Sequence, residues 1–79
     1  MTAPEWDWVC TGTWGTSLGR GDRMECRVQE KRIGWDWEVR DTHQEDELVA
    51  SGSAAYTLEE AMEEAEDAAR EELKRVGAI

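Results

Sequence analysis

The last third of the chain constrains the fold most. Leu58, Ala61, Met62, Ala65, Ala68, Ala69, Leu73 and Val76 recur at helical spacing and draw one apolar stripe. The spacing predicts a helix over 57–76. Thr57 followed by Glu60 forms a capping box at its start, and Gly77 sits where a helix stop belongs. Outside the stripe the helix is almost entirely carboxylate. Eight of the fourteen residues from Glu59 to Glu72 are acidic. At 1.5 Å rise per residue that is one charge per ~2.6 Å, against ~1.7 Å per charge for duplex DNA counted over both strands. Such a helix cannot bury its stripe alone, so the upstream residues have to supply a matching apolar face.

They do so with a period of two. Trp6, Trp8, Cys10 and Trp14 alternate with Asp7, Thr11 and Thr13, which predicts a first strand over about Glu5–Trp14. Gly12 and Gly15 interrupt it and point to a bulge or a close backbone approach. Residues Gly15–Asp22 are rich in turn formers and read as a loop. A second strand, Arg23–Glu30, turns Met24, Cys26 and Val28 to one side. A third, Ile33–Arg40, turns Trp35, Trp37 and Val39 inward. A tight turn at Lys31-Arg32 sets Val28 opposite Trp35, Cys26 opposite Trp37, Met24 opposite Val39, and Arg27 opposite Asp36. After the acidic loop Asp41–Glu47, Leu48–Ala54 reads as a fourth strand. Its Leu48, Ala50 and Gly52 meet Val39, Trp37 and Trp35.

The expected architecture is α+β: a four-stranded antiparallel meander sheet over 5–55 with one C-terminal helix packed on one face, a single domain over 1–79. Asp7, Glu25, Arg27, Asp36, Glu38 and Arg40 belong on the opposite, wet face. At 79 residues the core is small. Five Trp with no Phe suit such a chain, because each indole buries a large area. Trp35 and Trp37 share the phase of Val39 and are expected in the core, whereas Trp6, Trp8 and Trp14 are expected to be partly exposed at a sheet edge.

The formal charge of −10 is polarised. Residues 1–35 balance five acids against five bases, and residues 36–72 carry fourteen acids against Arg40 and Arg70. Free nucleic acid and anionic membranes are repelled by such a chain, and basic surfaces are attracted. No run of about 20 apolar residues marks a membrane span, and the first residues lack a basic region with an apolar segment, so the expected location is the cytoplasm.

Catalysis has little to stand on. His43 is the only histidine and sits in an acidic loop. The helix carboxylates are expected to be exposed, which leaves no pair pushed to different pKa values by burial. Gly19-Arg20-Gly21 lacks the strand-then-helix context of a phosphate loop. Asp41, Glu45, Asp46 and Glu47 lack the calcium-loop spacing. Cys10 and Cys26 are too few for a zinc site and read as small buried hydrophobes, with a disulfide open if their strands are neighbours in register. The chain is read as a non-enzyme without metal or cofactor.

The acidic helix remains. Glu59/Glu63, Glu60/Glu64, Glu63/Asp67 and Asp67/Glu71 are like-charge i,i+4 pairs, each costing a few tenths of a kcal/mol. A merely soluble surface avoids that cost with scattered lysines. The candidate partner-binding residues are therefore Glu59, Glu60, Glu63, Glu64, Glu66, Asp67, Glu71 and Glu72, with Asp36, Glu38, Glu45, Asp46 and Glu47 extending the field.

Two resemblances attach to these residues. Gly52-Ser-Ala-Ala-Tyr-Thr-Leu-Glu-Glu-Ala61 resembles the strand-to-helix junction of HicB-like antitoxins, which implies a module that neutralises a small basic toxin. The whole profile is similar to that of phage-encoded anti-CRISPR proteins of the acidic, DNA-mimicking type: tiny, strongly acidic, sheet plus helix, with no catalytic signature. With that resemblance the expected cytoplasm is that of a bacterial host, and the chain is expected to be a monomer or weak dimer. Its partner is a basic nucleic-acid-binding complex, a CRISPR surveillance complex, and not nucleic acid itself. The edge at Glu5–Trp14 is the place where a second copy could pair.

Overall fold

The computed structural model describes residues 5–77. It is α+β, with an antiparallel sheet and a single C-terminal helix on one face. The sheet has five strands, in the order β1 (Asp7–Cys10), β2 (Thr13–Leu18), β3 (Met24–Glu30), β4 (Trp35–Asp41) and β5 (Glu47–Ala55). The helix, α1, spans Leu58–Arg75.

The fifth strand comes from dividing the expected first one. The chain reverses at Thr11-Gly12, where Gly12 has φ +74° and its carbonyl accepts the Glu30 amide at 2.7 Å. An L side chain rarely adopts that φ, so the glycine that interrupts the alternation is a turn residue. β2 then runs on to Leu18 through residues expected to be loop. Gly19, a 3-10 turn at Arg20–Asp22 and Arg23 connect it to β3.

The register of β3 with β4 is also displaced by two residues from expectation. Val28 pairs with Trp37, Cys26 with Val39 and Met24 with Asp41, while Arg27 pairs with Glu38 rather than Asp36. The cause is the connection. Instead of a tight turn at Lys31-Arg32, a four-residue loop closes with Gly34 at φ +80° and a bond from the Lys31 amide to the Gly34 carbonyl of 3.0 Å. Ile33 becomes a loop residue and is exposed. A slip of two leaves the faces unchanged, so Met24, Cys26, Val28 and Val39 are all fully buried as their phase required.

β5 follows the same displacement. Ala50 pairs with Val39 and Gly52 with Trp37. A bulge between Val39 and Arg40 then turns Leu48 onto the outer face opposite Arg40, while Val49 packs toward the core in its place. Gly52 is required by contact. A Cβ there would lie 2.6 Å from Cε2, Cζ2 and Nε1 of Trp37, so the indole rests directly on the β5 backbone.

α1 crosses the inner face with Ala61, Ala65 and Ala69 fully buried. Its alanines allow close approach: the Cys26 thiol lies 3.9 Å from the Ala65 carbonyl. Leu58, Ala61 and Met62 meet Val28 and the tryptophans at one end of the sheet, and Leu73 meets Met24 at the other. The two cysteines do not share an environment. A bulge between Trp8 and Cys10 in β1 takes Cys10 out of the apolar phase, so it is exposed, while Cys26 is buried, and both thiols are free.

Candidate functional site

The candidate carboxylates divide among three places. Asp36 and Glu38 lie on the outer face, because they pair with Gln29 and Arg27, whose neighbours Val28 and Cys26 face α1. Glu45 and Asp46, in the β4–β5 connection with left-handed backbone, and Glu47, the first residue of β5, are exposed. That connection lies toward the C-terminal end of α1, where Arg75 is held in its charged form by Glu72 and, more weakly, by Glu47 and Asp41. The eight helix acids lie on the other side of the sheet from Asp36 and Glu38. The expectation of one continuous field is corrected accordingly: the sheet separates the two groups.

The outer face is mixed in charge. Lys31 stands 3.8 Å from Asp36, Arg40 is 3.3 Å from Glu38 and Arg27 is 3.4 Å from Glu25. At half-exposed positions such pairs add little stability, yet they cancel the local field.

The helix is asymmetric along its length. Its second half carries every base it has. Arg70 bonds Glu66 at 3.3 Å and Asp67 at 3.5 Å, Lys74 is 3.9 Å from Glu71, and Arg75 is 2.7 Å from Glu72. The first half holds Glu59, Glu60, Glu63 and Glu64, all exposed and none with an ion-pair partner among the described residues. Glu60 has a local task, accepting the Tyr56 amide at 3.1 Å while its own amide donates to Thr57 Oγ1 at 3.1 Å. The helix dipole favours Glu59 and Glu60 in the first turn, but its effect fades beyond that turn. Glu63 and Glu64 are carried with no such return.

Glu66 departs from the outward ridge. Only 16% of its side chain is exposed, and one oxygen accepts Trp6 Nε1 at 2.8 Å while the other faces Arg70. It locks α1 to the start of the sheet. Together with burial, which is the larger cause, the Glu66 charge pushes the Cys26 thiol up to about 12. Glu72, 17% exposed and paired with Arg75, is likewise turned inward. The unpaired ridge is therefore Glu59, Glu63 and Glu64, with Glu60 beside it, and it is continued by Asp67 and Glu71, which are exposed but paired with Arg70 and Lys74.

One carboxylate is buried, and it was not among the candidates. Asp41 receives Arg23 through three bonds of 3.0–3.2 Å and the His43 amide at 3.0 Å. The Arg23 bonds hold it below the usual carboxylate range against the opposing effect of burial. Both its oxygens are occupied, so it ties the β4 end to the β2–β3 connection. His43 lies exposed in the 3-10 turn Thr42–Gln44. Among the described residues no three His, Cys, Asp or Glu side chains converge as metal ligands, and no helix is long and apolar enough to cross a membrane.

The aromatic side chains add something the sequence placed only loosely. Trp35 and Trp37 are half-buried against the core, and Trp6 and Trp14 are half-buried at its margin. Trp8 is 62% exposed. No protein-family model, curated protein or solved structure matches this chain.

Proposed function

We propose that the chain is an interaction protein that inhibits a nucleic-acid-binding complex by presenting duplex-like negative charge. In its sharpest form it is an anti-CRISPR that occupies the basic DNA channel of a surveillance complex in the bacterial cytoplasm and blocks recruitment of target DNA.

The observation that carries this reading is the uncompensated first half of α1. Glu59, Glu60, Glu63 and Glu64 project four carboxylates from two turns while the bases of the helix gather at its other end. Over five residue steps that is one charge per ~2 Å, close to the duplex value of ~1.7 Å. The ridge is rigid because the opposite side of the same turns is fixed by Ala61 and Ala65, both fully buried. A fixed row of carboxylates attracts a channel of lysine and arginine without the ordering cost of a mobile acidic tail. Binding is competitive with DNA, and most of its energy is electrostatic.

The test uses the complex that co-purifies with the tagged protein from its host. Native protein is expected to displace target duplex from that complex in a mobility-shift titration, with the effect weakening as salt rises. A triple reversal, Glu63→Lys, Glu64→Lys and Asp67→Lys, is expected to abolish displacement. Undiminished displacement by the reversed protein overturns charge mimicry.

A further inference from the structure

We infer that the flank of α1 facing β1 is an arginine-selective docking surface, in which Trp8 stacks a guanidinium of the partner while Glu59 and Glu63 bind its charge. This rests on the reading above that the partner is a basic protein, and it specifies which cation that partner offers.

The surface follows from how far one helix can reach. Trp8, Trp14, Val28 and Trp37 pair in turn across four strands and form one row on the inner face. α1 sits over Val28, which is fully buried against Ala61. Neighbouring strands are ~4.8 Å apart, and a helix with its side chains covers only ~5–6 Å to either side of its axis. Trp14, one strand from Val28, falls at the margin and is half-buried. Trp8, two strands away, lies beyond cover and is 62% exposed. An indole on the apolar face of a sheet, left open while alanines elsewhere are fully covered, is an unfilled contact.

The rim of this contact is identifiable. Trp6, two residues before Trp8 on the same side of its strand, bonds Glu66 at 2.8 Å, which fixes the side of α1 that faces β1. The helix positions three, four and seven residues before Glu66 share that flank, and they are Glu63, Met62 and Glu59. Met62 packs inward and extends the apolar floor. Glu59 and Glu63 are exposed and have no ion-pair partner among the described residues.

An aromatic face bordered by free carboxylates selects among ligands. Phosphate-bearing nucleic acid is repelled by the rim even though bases stack on tryptophan. A second copy of this chain carries a formal charge of −10 and meets the same repulsion. Lysine satisfies the carboxylates, but its compact ammonium holds its water tightly and stacks poorly. Arginine offers a flat, weakly hydrated cation that lies on the indole while its edge donates to a carboxylate. The surface thus discriminates between two residues that the acidic ridge alone treats alike.

The experiment compares hexa-arginine and hexa-lysine peptides of equal charge, titrated by tryptophan fluorescence and calorimetry at fixed salt. The native protein is expected to bind hexa-arginine about two- to fivefold more tightly per stacked guanidinium, with a change in tryptophan emission. Trp8→Leu is expected to bring the two affinities together by weakening hexa-arginine alone, and Trp8→Tyr to keep part of the preference. Equal affinities in the native protein, a preference that survives Trp8→Leu, or self-association that protects Trp8 each overturn the inference. DNA displacement by a native protein that shows no arginine preference leaves charge mimicry standing and removes only this surface. An arginine preference without DNA displacement does the reverse.

Discussion

Asp41 is a carboxylate that the fold withdraws from water and then satisfies at both oxygens, from the Arg23 guanidinium and the His43 amide. Its pKa is lowered chiefly by the bonds from Arg23. An unfolded aspartate titrates near 3.9, so the unfolded chain takes up a proton in a pH range where the native protein still holds Asp41 ionised. The stability contributed by the pair is therefore complete above about pH 4 and is lost as pH falls through the lower, folded value. Asp41→Asn is expected to cost about 2 kcal/mol at pH 7, within the range for a hydrogen bond to a charged group. The penalty should shrink toward acid, as read by urea unfolding of both proteins at pH 7 and pH 3. A constant difference between the two proteins contradicts the assignment. This pair was invisible in the sequence, because residues 18 apart meet only once two 3-10 turns have folded the ends of β3 and β4 together. Glu66 departs from the expected exposed ridge for a related reason. Helical spacing puts it at the border of the apolar stripe, and only the position of Trp6 decides that it turns inward.

At the scale of elements, alternation and helical periodicity carried most of what the fold needed. Phase alone assigned Met24, Cys26, Val28 and Val39 to the core, and the stripe of α1 with its Thr57 cap appears where the spacing put it. Connections were less legible. Gly12 and Gly34 each require positive φ, and neither residue says how many neighbours its turn includes. Hence one strand became two, and the β3–β4 register moved by two residues without changing faces. The helix also separates stability from function in a measurable way. Glu63 stands four residues from both Glu59 and Asp67, so Glu63→Lys replaces two repulsive pairs with two attractive ones. Thermal or urea unfolding should show a gain of about 0.5–1 kcal/mol. The same variant should be a weaker competitor of DNA. A residue whose removal strengthens the protein and weakens its activity is there for the activity. A variant that gains stability and inhibits as before assigns Glu63 to the solvated surface.

The whole molecule is small enough for charge to act globally or locally depending on salt. Its dimensions are 36 × 23 × 19 Å, and its formal charge is −10. At about 0.01 M salt the Debye length is ~30 Å, so the ridge, the β4–β5 connection and the outer face all sense one another. At about 0.1 M it is ~10 Å, and the paired acids of the outer face no longer contribute to the field over α1. At that ionic strength the ridge presents its field alone. Two salt responses of opposite sign follow. Screening relieves the four like-charge pairs of α1, each worth ~0.2–0.5 kcal/mol, so unfolding stability should rise by about 1 kcal/mol between low and moderate salt. For a domain of this size that is a Tm increase of roughly 4–8 °C. Affinity for a basic partner should fall over the same interval, because the attraction is screened with the repulsion. Measuring both on one protein distinguishes two kinds of acidic surface. If the eight salt bridges among the described residues dominated the electrostatics, salt would lower Tm, and the ridge would be a set of compensated pairs with no field to offer. A rising Tm accompanied by falling affinity is the pattern of a charge row kept for a partner, and Glu63→Lys should flatten both slopes together.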